Sequence, residues 1–191
     1  MKLDRILTFA KLLLEKAVQP GDITVDGTMG NGFDTVFLAG LTGENGHVYS
    51  FDIQEDAIKN TAAKLKAESM HERCTLVHDG HEHLNKYISK EEHSGNITGA
   101  IFNLGYLPGG DKSIVTQANT TISALEQLFE MMAPEGIIVL VIYHGHPEGA
   151  TERDALLHYV QNLPQQKAHV LKYGFINQAN NPPFIVAIEK R

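Results

Sequence analysis

Three acidic residues each close a short β-rich run: Asp26 ends Ile23–Asp26, Asp52 ends His47–Asp52, and Asp79 directly follows Cys74–His78. Between the first two lies Asp26-Gly27-Thr28-Met29-Gly30-Asn31-Gly32-Phe33-Asp34-Thr35. Glycines at 30 and 32 let a chain turn tightly and bring its backbone close to a ligand at a helix N-terminus. A dinucleotide fingerprint, G-x-G-x-x-G, would need a third glycine where Thr35 stands. The acid-first form D-x-x-x-G-x-G suits an amino-acid ammonium that must be neutralised, not a pyrophosphate that must be cradled. Asp52 can accept both hydroxyls of a ribose, and Asp79 is placed for an adenine amino group. Ammonium, ribose and adenine without phosphates describe S-adenosylmethionine (SAM), which leaves as S-adenosylhomocysteine (SAH) after methyl transfer. Any one of these acids alone is more often a cap or turn former. Three at successive strand ends, with the glycine pair in the first loop, favour the ligand.

The expected cofactor contacts are Asp26, Gly30, Asn31, Gly32, Phe33, Asp34 and Thr35 in the first loop, and Asp52, Ile53 and Gln54 in the second. Asp79, Gly80 and His81 follow in the third, with Asn103 and Leu104 after a fourth strand.

Elements of alternating kind must position these residues. Leu3, Ile6, Leu7, Ala10, Leu13, Leu14 and Ala17 recur at steps of three and four, which predicts an amphipathic helix stopped by Gln19-Pro20-Gly21. Helices are further expected over Asp34–Leu41, with Asp34 and Thr35 as first-turn or capping residues, and over Glu55–Ser69, with Ala57, Ile58, Ala62 and Leu65 inward. A short helix is expected near His83–Lys90, and longer ones over Ser113–Met132 and Thr151–Leu163. Strands are expected at Ile23–Asp26, His47–Asp52, Cys74–His78, Ile97–Asn103 and Gly136–Tyr143. A closing pair, Ala168–Ile176 and Phe184–Glu189, has only a turn-rich connection between its members. The alternation predicts one α/β domain: a mainly parallel seven-stranded sheet with helices on both faces and an antiparallel last strand, placed at an edge. Open parallel sheets bind ligands beyond the carboxyl ends of their strands, where the acids sit.

The composition narrows the chemistry. With 191 residues the chain has the size of one domain, here residues 1–191. One cysteine excludes an internal disulfide, a Cys₄ zinc site and a cysteine-ligated iron–sulfur cluster, and hence radical SAM chemistry. That cysteine, Cys74, opens a strand away from the catalytic ends, which argues against C5-pyrimidine methylation through a thiol nucleophile. A formal charge of −7 argues against avid, indiscriminate nucleic-acid binding but leaves room for a local basic patch reading one structured RNA. Charged residues interrupt every N-terminal apolar run, so no signal peptide or membrane span is expected and a cytoplasmic location is.

Beyond the fourth strand the chain reads Asn103-Leu104-Gly105-Tyr106-Leu107-Pro108-Gly109-Gly110-Asp111-Lys112. With T-M-G-N-G-x-D-T at 28–35, T-T-x-x-A-L at 120–125 and G-H-x-x-G at 145–149, this stretch closely resembles a family of small bacterial SAM-dependent methyltransferases long labelled rRNA methylases. The likeness spans nearly the whole chain and implies a Rossmann-like class I methyltransferase fold. It implies methylation of wobble 5-aminomethyl-2-thiouridine in tRNA to 5-methylaminomethyl-2-thiouridine, with the tRNA anticodon region as partner. The chain departs from the family pattern in three places: Phe33 stands at a common histidine, Gly27 at a small alanine, and Tyr143-His144 before Gly145 where others often carry proline. Asn103 and Tyr106 resemble the N-P-P-Y element of amino-methyltransferases, whose side-chain and backbone oxygens hold the target nitrogen. With His146 of G-H-x-x-G, placed for substrate positioning or proton acceptance, they form the expected catalytic set.

Alternatives share the motifs. A methyltransferase acting on rRNA or a small-molecule amine would keep every cofactor residue, and a non-catalytic SAM- or RNA-binding protein would keep the fold. Asn181-Pro182-Pro183-Phe184 also fits the N-P-P-Y pattern but precedes the last strand, where prolines usually shape a turn. His81-Glu82-His83 and His144-Gly145-His146 lack a third ligand at metal-site spacing, so no metal is expected. Lys2, Arg5, Lys11 and Lys16 give the first helix a basic character, with Lys112 and Arg153 beyond the fourth and fifth strands. A homodimer would juxtapose such patches.

Overall fold

The computed structural model describes residues 2–93, 95–107, 109 and 114–191. Strands β1 (Ile23–Asp26), β2 (His47–Asp52), β3 (Cys74–His78), β4 (Ile97–Leu104), β5 (Met132–Ile142), β6 (Ala168–Tyr173) and β7 (Phe184–Lys190) form one sheet of order β3-β2-β1-β4-β5-β7-β6. The first five run parallel, and β7 is antiparallel to both β5 and β6. The antiparallel strand is therefore internal, and β6 takes the edge. Hydrophobicity explains the exchange. The run Phe184–Ile188 is buried at every position, whereas β6 buries only Ala168 and exposes His169 to Lys172. A strand apolar on both faces needs cover on both sides, and a polar one tolerates the margin.

Strand order reverses between β1 and β4, so the loops leaving these neighbours diverge to opposite faces of the sheet. The crevice between them is the usual ligand position in open α/β sheets.

The helices α1 (Ile6–Ala17), α2 (Phe33–Thr42), α3 (Glu55–Ala67), α4 (Lys90–His93), α5 (Ala118–Met131) and α6 (Pro147–Gln161) cover the sheet. Helix α1 buries Ile6, Ala10, Leu13 and Leu14, but Leu3 and Leu7 face outward. Helix α3 turns Thr61 inward in place of Ala62, because Thr61 packs on the glycine loop. The expected short helix near residues 83–90 is split into a 3₁₀ turn over His81–Lys86 and α4. Helix α5 begins at Ala118, and the expected start at Ser113 lies outside the described residues. Helix α6 starts four residues earlier than the apolar spacing indicates, because His146 caps it and Pro147 occupies its first turn. Among the described residues, no helix is long and apolar enough to cross a membrane.

Candidate active site

The β1–α2 loop is tied to its neighbours on both sides. Gly27 N–H continues the ladder to the Ile101 carbonyl at 2.9 Å, and Asn103 N–H donates to Thr28 Oγ1 at 2.7 Å. On the other flank Met29 N–H donates to the Phe51 carbonyl at 2.9 Å, and Gly30 N–H to Asp52 Oδ2 at 3.0 Å. Gly30 and Gly32 take φ values of 48° and 77°, which glycine adopts without penalty. The room left by their missing side chains is filled by protein. A Cβ on Gly32 would lie 2.8 Å from Thr61 Oγ1, and one on Gly30 3.2 Å from Leu107. Gly27 is the tightest position, with Phe102 Cε1 2.0 Å from where a Cβ would sit. The departure from alanine at 27 thus has a local cause, the Phe102 ring.

Asp26 lies beneath this loop, fully buried, accepting from Thr28 N–H at 3.2 Å and Thr35 Oγ1 at 2.6 Å. Burial, followed by the charge of Asp34, pushes its carboxyl up to about 7. Thr35 and Leu104 are likewise fully buried. None of the three offers a side-chain surface to a ligand. Asp26 can act by holding the Thr28 amide and the Thr35 hydroxyl beneath the loop, Leu104 by its backbone, and Thr35 by fixing Asp26. The chain caps α2 with left-handed Gly32, not with Asp34 or Thr35, and Asp34 sits in the first turn.

Asp52 accepts one N–H on each oxygen, Gly30 on Oδ2 and Gln54 on Oδ1, the latter at 3.0 Å. Each oxygen keeps a second lone pair for a hydroxyl donor. Ile53 beside it is 56% exposed, and Phe33 is 66% exposed with Lys64 Nζ 3.9 Å from its ring centre. Both present apolar surface beyond the carboxyl ends of β1 and β2. Asn31 Oδ1 accepts from Asn60 Nδ2 at 3.1 Å.

At the β3 end, Asp79 is more occupied than its sequence position suggests. Its carboxylate accepts from Gly80 N–H, His83 Nδ1 and the Tyr87 hydroxyl at 2.8–2.9 Å, and the His83 bond leads the causes that hold it down at about 2. Asp79 fastens the 3₁₀ turn. His81 offers a freer group. Its Nδ1 donates to the Gly27 carbonyl at 2.9 Å, and burial pushes its pKa down, keeping the ring neutral. Nε2 is then a buried lone pair with no partner among the described residues.

The residues expected to hold substrate gather beyond the ends of β4 and β5. Asn103 Nδ2 donates to Asp34 Oδ2 at 2.7 Å, so its carbonyl oxygen is turned away from Asp34. Tyr106, 42% exposed, places its ring 5.9 Å from that of His146. The three expected catalytic residues therefore share one end of the sheet. His146 is also the cap of α6: Nδ1 accepts from Gly149 N–H at 3.0 Å. That bond uses its free lone pair, so proton acceptance at Nδ1 would require giving up the cap.

Further residues take part in ways that their spacing did not indicate. Thr28 latches the glycine loop to β4. Tyr143, with its hydroxyl pKa raised by burial and then by the Asp34 charge, packs its Cβ 3.4 Å from where a Gly105 Cβ would sit. Thr116, just past the 103–112 stretch, and Glu152, 36 residues further on, bond each other at 2.6 Å. His144 joins two elements, with Nε2 toward the Pro182 carbonyl at 3.1 Å and Arg153 Nη1 3.2 Å from Nδ1. The Asn181–Phe184 turn is thereby brought to the catalytic end of the sheet. Arg153 also pairs with Asp154, and Lys112, with the rest of 110–113, lies outside the described residues. Cys74, whose thiol burial pushes up to about 12, begins β3 at the opposite end and is no nucleophile.

This donor set fits SAM: spare carboxylate lone pairs at Asp52, an unpartnered buried acceptor on His81, exposed apolar surface at Ile53 and Phe33, and the carboxyl groups of Asp26 and Asp34 about the start of α2.

Comparison with known proteins agrees. Residues 48–189 match the family model described as "Putative rRNA methylase". The chain is 33% identical over 189 residues, 95% of its length and 68% of the relative's, to a "tRNA (mnm(5)s(2)U34)-methyltransferase, chloroplastic" from Arabidopsis thaliana. Among solved structures, a "putative rRNA-methylase" from Clostridium thermocellum superposes with a TM-score of 0.95 at 43% identity, covering 100% of both chains. A "putative methyltransferase" from Streptococcus mutans, in complex with SAH, gives 0.89 at 38% identity and 99% of both.

Proposed function

Since the chain belongs to this family of SAM-dependent methyltransferases, we propose that it methylates the 5-aminomethyl group of wobble 5-aminomethyl-2-thiouridine in tRNA, giving 5-methylaminomethyl-2-thiouridine. The observation that carries the reading is the Asn103–Asp34 hydrogen bond, which leaves an amide oxygen at the end of β4 to receive an amine N–H. The choice of tRNA follows the Arabidopsis relative, which the chain matches over nearly its full length.

In this reading Asp52 receives the ribose hydroxyls, Ile53 and Phe33 flank the adenosine, the Asp79–His81 loop takes the adenine edge, and the α2 N-terminus with Asp26 and Asp34 faces the methionine end. Bound SAM supplies a methyl group on a sulfonium. The protein's task is positional: to hold a neutral amine in line with that carbon. An alkylamine is mostly protonated in neutral water, so the site must favour the free base by desolvation. Asn103 Oδ1 accepts one amine hydrogen and aligns the nitrogen lone pair. Tyr106 and His146 wall the base, and the Asn181–Phe184 turn, joined to β5 through His144, closes the same end.

The anticodon region is the partner surface, and a two-chain assembly supplies its footprint; a strict monomer in light scattering would reject that part. The deciding experiment is methyl transfer to tRNA bearing the unmethylated aminomethyl group, with nucleoside analysis of tRNA from a deletion strain. An unchanged level of 5-methylaminomethyl-2-thiouridine in that strain would exclude this substrate.

A further inference from the structure

Glu152 is a carboxylate 4% exposed in the middle of α6, a place where an apolar residue would cost less to bury. It accepts from Thr116 Oγ1 at 2.6 Å and Thr121 Oγ1 at 3.0 Å. Thr116 in turn grips the substrate loop twice. Its hydroxyl accepts Gly105 N–H at 2.9 Å, and its own N–H donates to the Gly105 carbonyl at 3.0 Å. Next to this pair, Tyr106 and Val115 form an antiparallel bridge.

Donor arithmetic shows what the carboxylate contributes. A threonine hydroxyl has one hydrogen, and an acceptor-only carboxylate takes it. The Thr116 oxygen is then left with lone pairs alone, one of which receives Gly105 N–H. Without Glu152 the hydroxyl is free to turn its hydrogen elsewhere, and the Gly105 amide loses a fixed acceptor. Gly105 is a position that needs fixing: its φ of 152° is open to glycine and poor for other residues, so the backbone between Asn103 and Tyr106 is intrinsically loose. The same helix presents His146 to the Tyr106 ring. Helix α6 therefore holds both sides of the loop.

We propose that Glu152 is a positioning residue for methyl transfer, acting through the Thr116 hydroxyl to fix the Gly105 peptide between Asn103 and Tyr106. The inference rests on the reading of Asn103 and Tyr106 as the substrate-holding pair. Thr116→Val removes the hydroxyl at constant shape, Thr116→Ser restores it, and Glu152→Leu removes the carboxylate. In the full chain, Thr116→Val is expected to speed hydrogen exchange at the Gly105 amide by about tenfold or more. SAM affinity by calorimetry should stay near the parent value, and kcat on aminomethyl tRNA should fall about 100-fold, the scale of a small misplacement. Thr116→Ser should recover both exchange and kcat. If Thr116→Val does not fold, Glu152→Leu carries the same expectations. Unaltered Gly105 exchange, or SAM affinity lost in step with kcat, overturns the proposal. If the parent protein does not methylate that tRNA, the substrate assignment fails, while exchange and SAM binding still decide the tether.

Discussion

Asn103 donates its side-chain N–H to Asp34 across 2.7 Å, joining the end of β4 to the first turn of α2. A carboxylate accepts hydrogen bonds, so this contact selects one of the two amide orientations and turns the Asn103 oxygen away from Asp34. Asp34→Asn removes that selection, because an amide can pair with Asn103 either way round. The expected result is a methyl-transfer rate about tenfold lower on aminomethyl tRNA in single-turnover assays, the scale of one lost hydrogen bond. SAM affinity measured in parallel should change less than that rate.

Asp26 makes stability pH-dependent. Its folded carboxyl titrates near 7, mainly because it is buried. An unfolded aspartate titrates near 3.9, so between these values the native state holds a proton that the unfolded chain releases. The contribution of this group to stability is then greatest at low pH and falls as pH rises toward 7, by at most about 1.4 kcal/mol per pH unit. Denaturant midpoints of the SAM-free protein at pH 5.5 and 7.5 should show the decline, and Asp26→Asn should flatten it. A variant with the parental slope would assign the dependence to other groups.

Gly27 and Phe102 share one volume. A Cβ at 27 would stand 2.0 Å from the fully buried Phe102 ring. Gly27→Ala should cost about 1–3 kcal/mol through overpacking. Adding Phe102→Leu should recover part of that loss, so a double-mutant cycle with no coupling would contradict the packing argument.

His146 does two things that can be separated. Asparagine is among the best caps, so His146→Asn should preserve the bond to Gly149 N–H and the start of α6 while removing the ring beside Tyr106. Parental thermal stability with kcat reduced about tenfold is expected. His146→Ala should lose about 1 kcal/mol of stability as well. Parental turnover in both variants would remove His146 from the active site.

Asp52 closes the test of the cofactor site. Its carboxylate already holds the Gly30 and Gln54 amides, so Asp52→Ala should loosen both loops and remove the ribose acceptor together. Calorimetry should show SAM affinity reduced by more than about tenfold, the equivalent of one or two charge-assisted hydrogen bonds. Unchanged binding would refute the ribose assignment.

Periodicity and local chemistry in the sequence were enough to place β1, β2 and β3 at their observed limits, because short runs of β-branched and aromatic residues ending in Asp or His leave little ambiguity. They also marked the three acids, the glycine loop and the Asn103–Tyr106 element as one constellation, since a parallel sheet delivers all its strand ends to one side. Sequence could not say which acids face a ligand and which support the loop from below. Asp26 and Asp79 are the same residue type at equivalent positions, yet one is sealed under Thr28 and Thr35 and the other is occupied by His83 and Tyr87. Burial and partner choice arise from contacts between distant segments, and no local pattern encodes them. The same holds for β7 taking the inner position over β6, and for Thr116 and Glu152, which stand 36 residues apart and meet only in the folded chain. The sequence alone determined the chemistry available at the strand ends. The tertiary structure decided which of those groups keep a lone pair for a ligand, because each hydrogen bond made within the fold removes one.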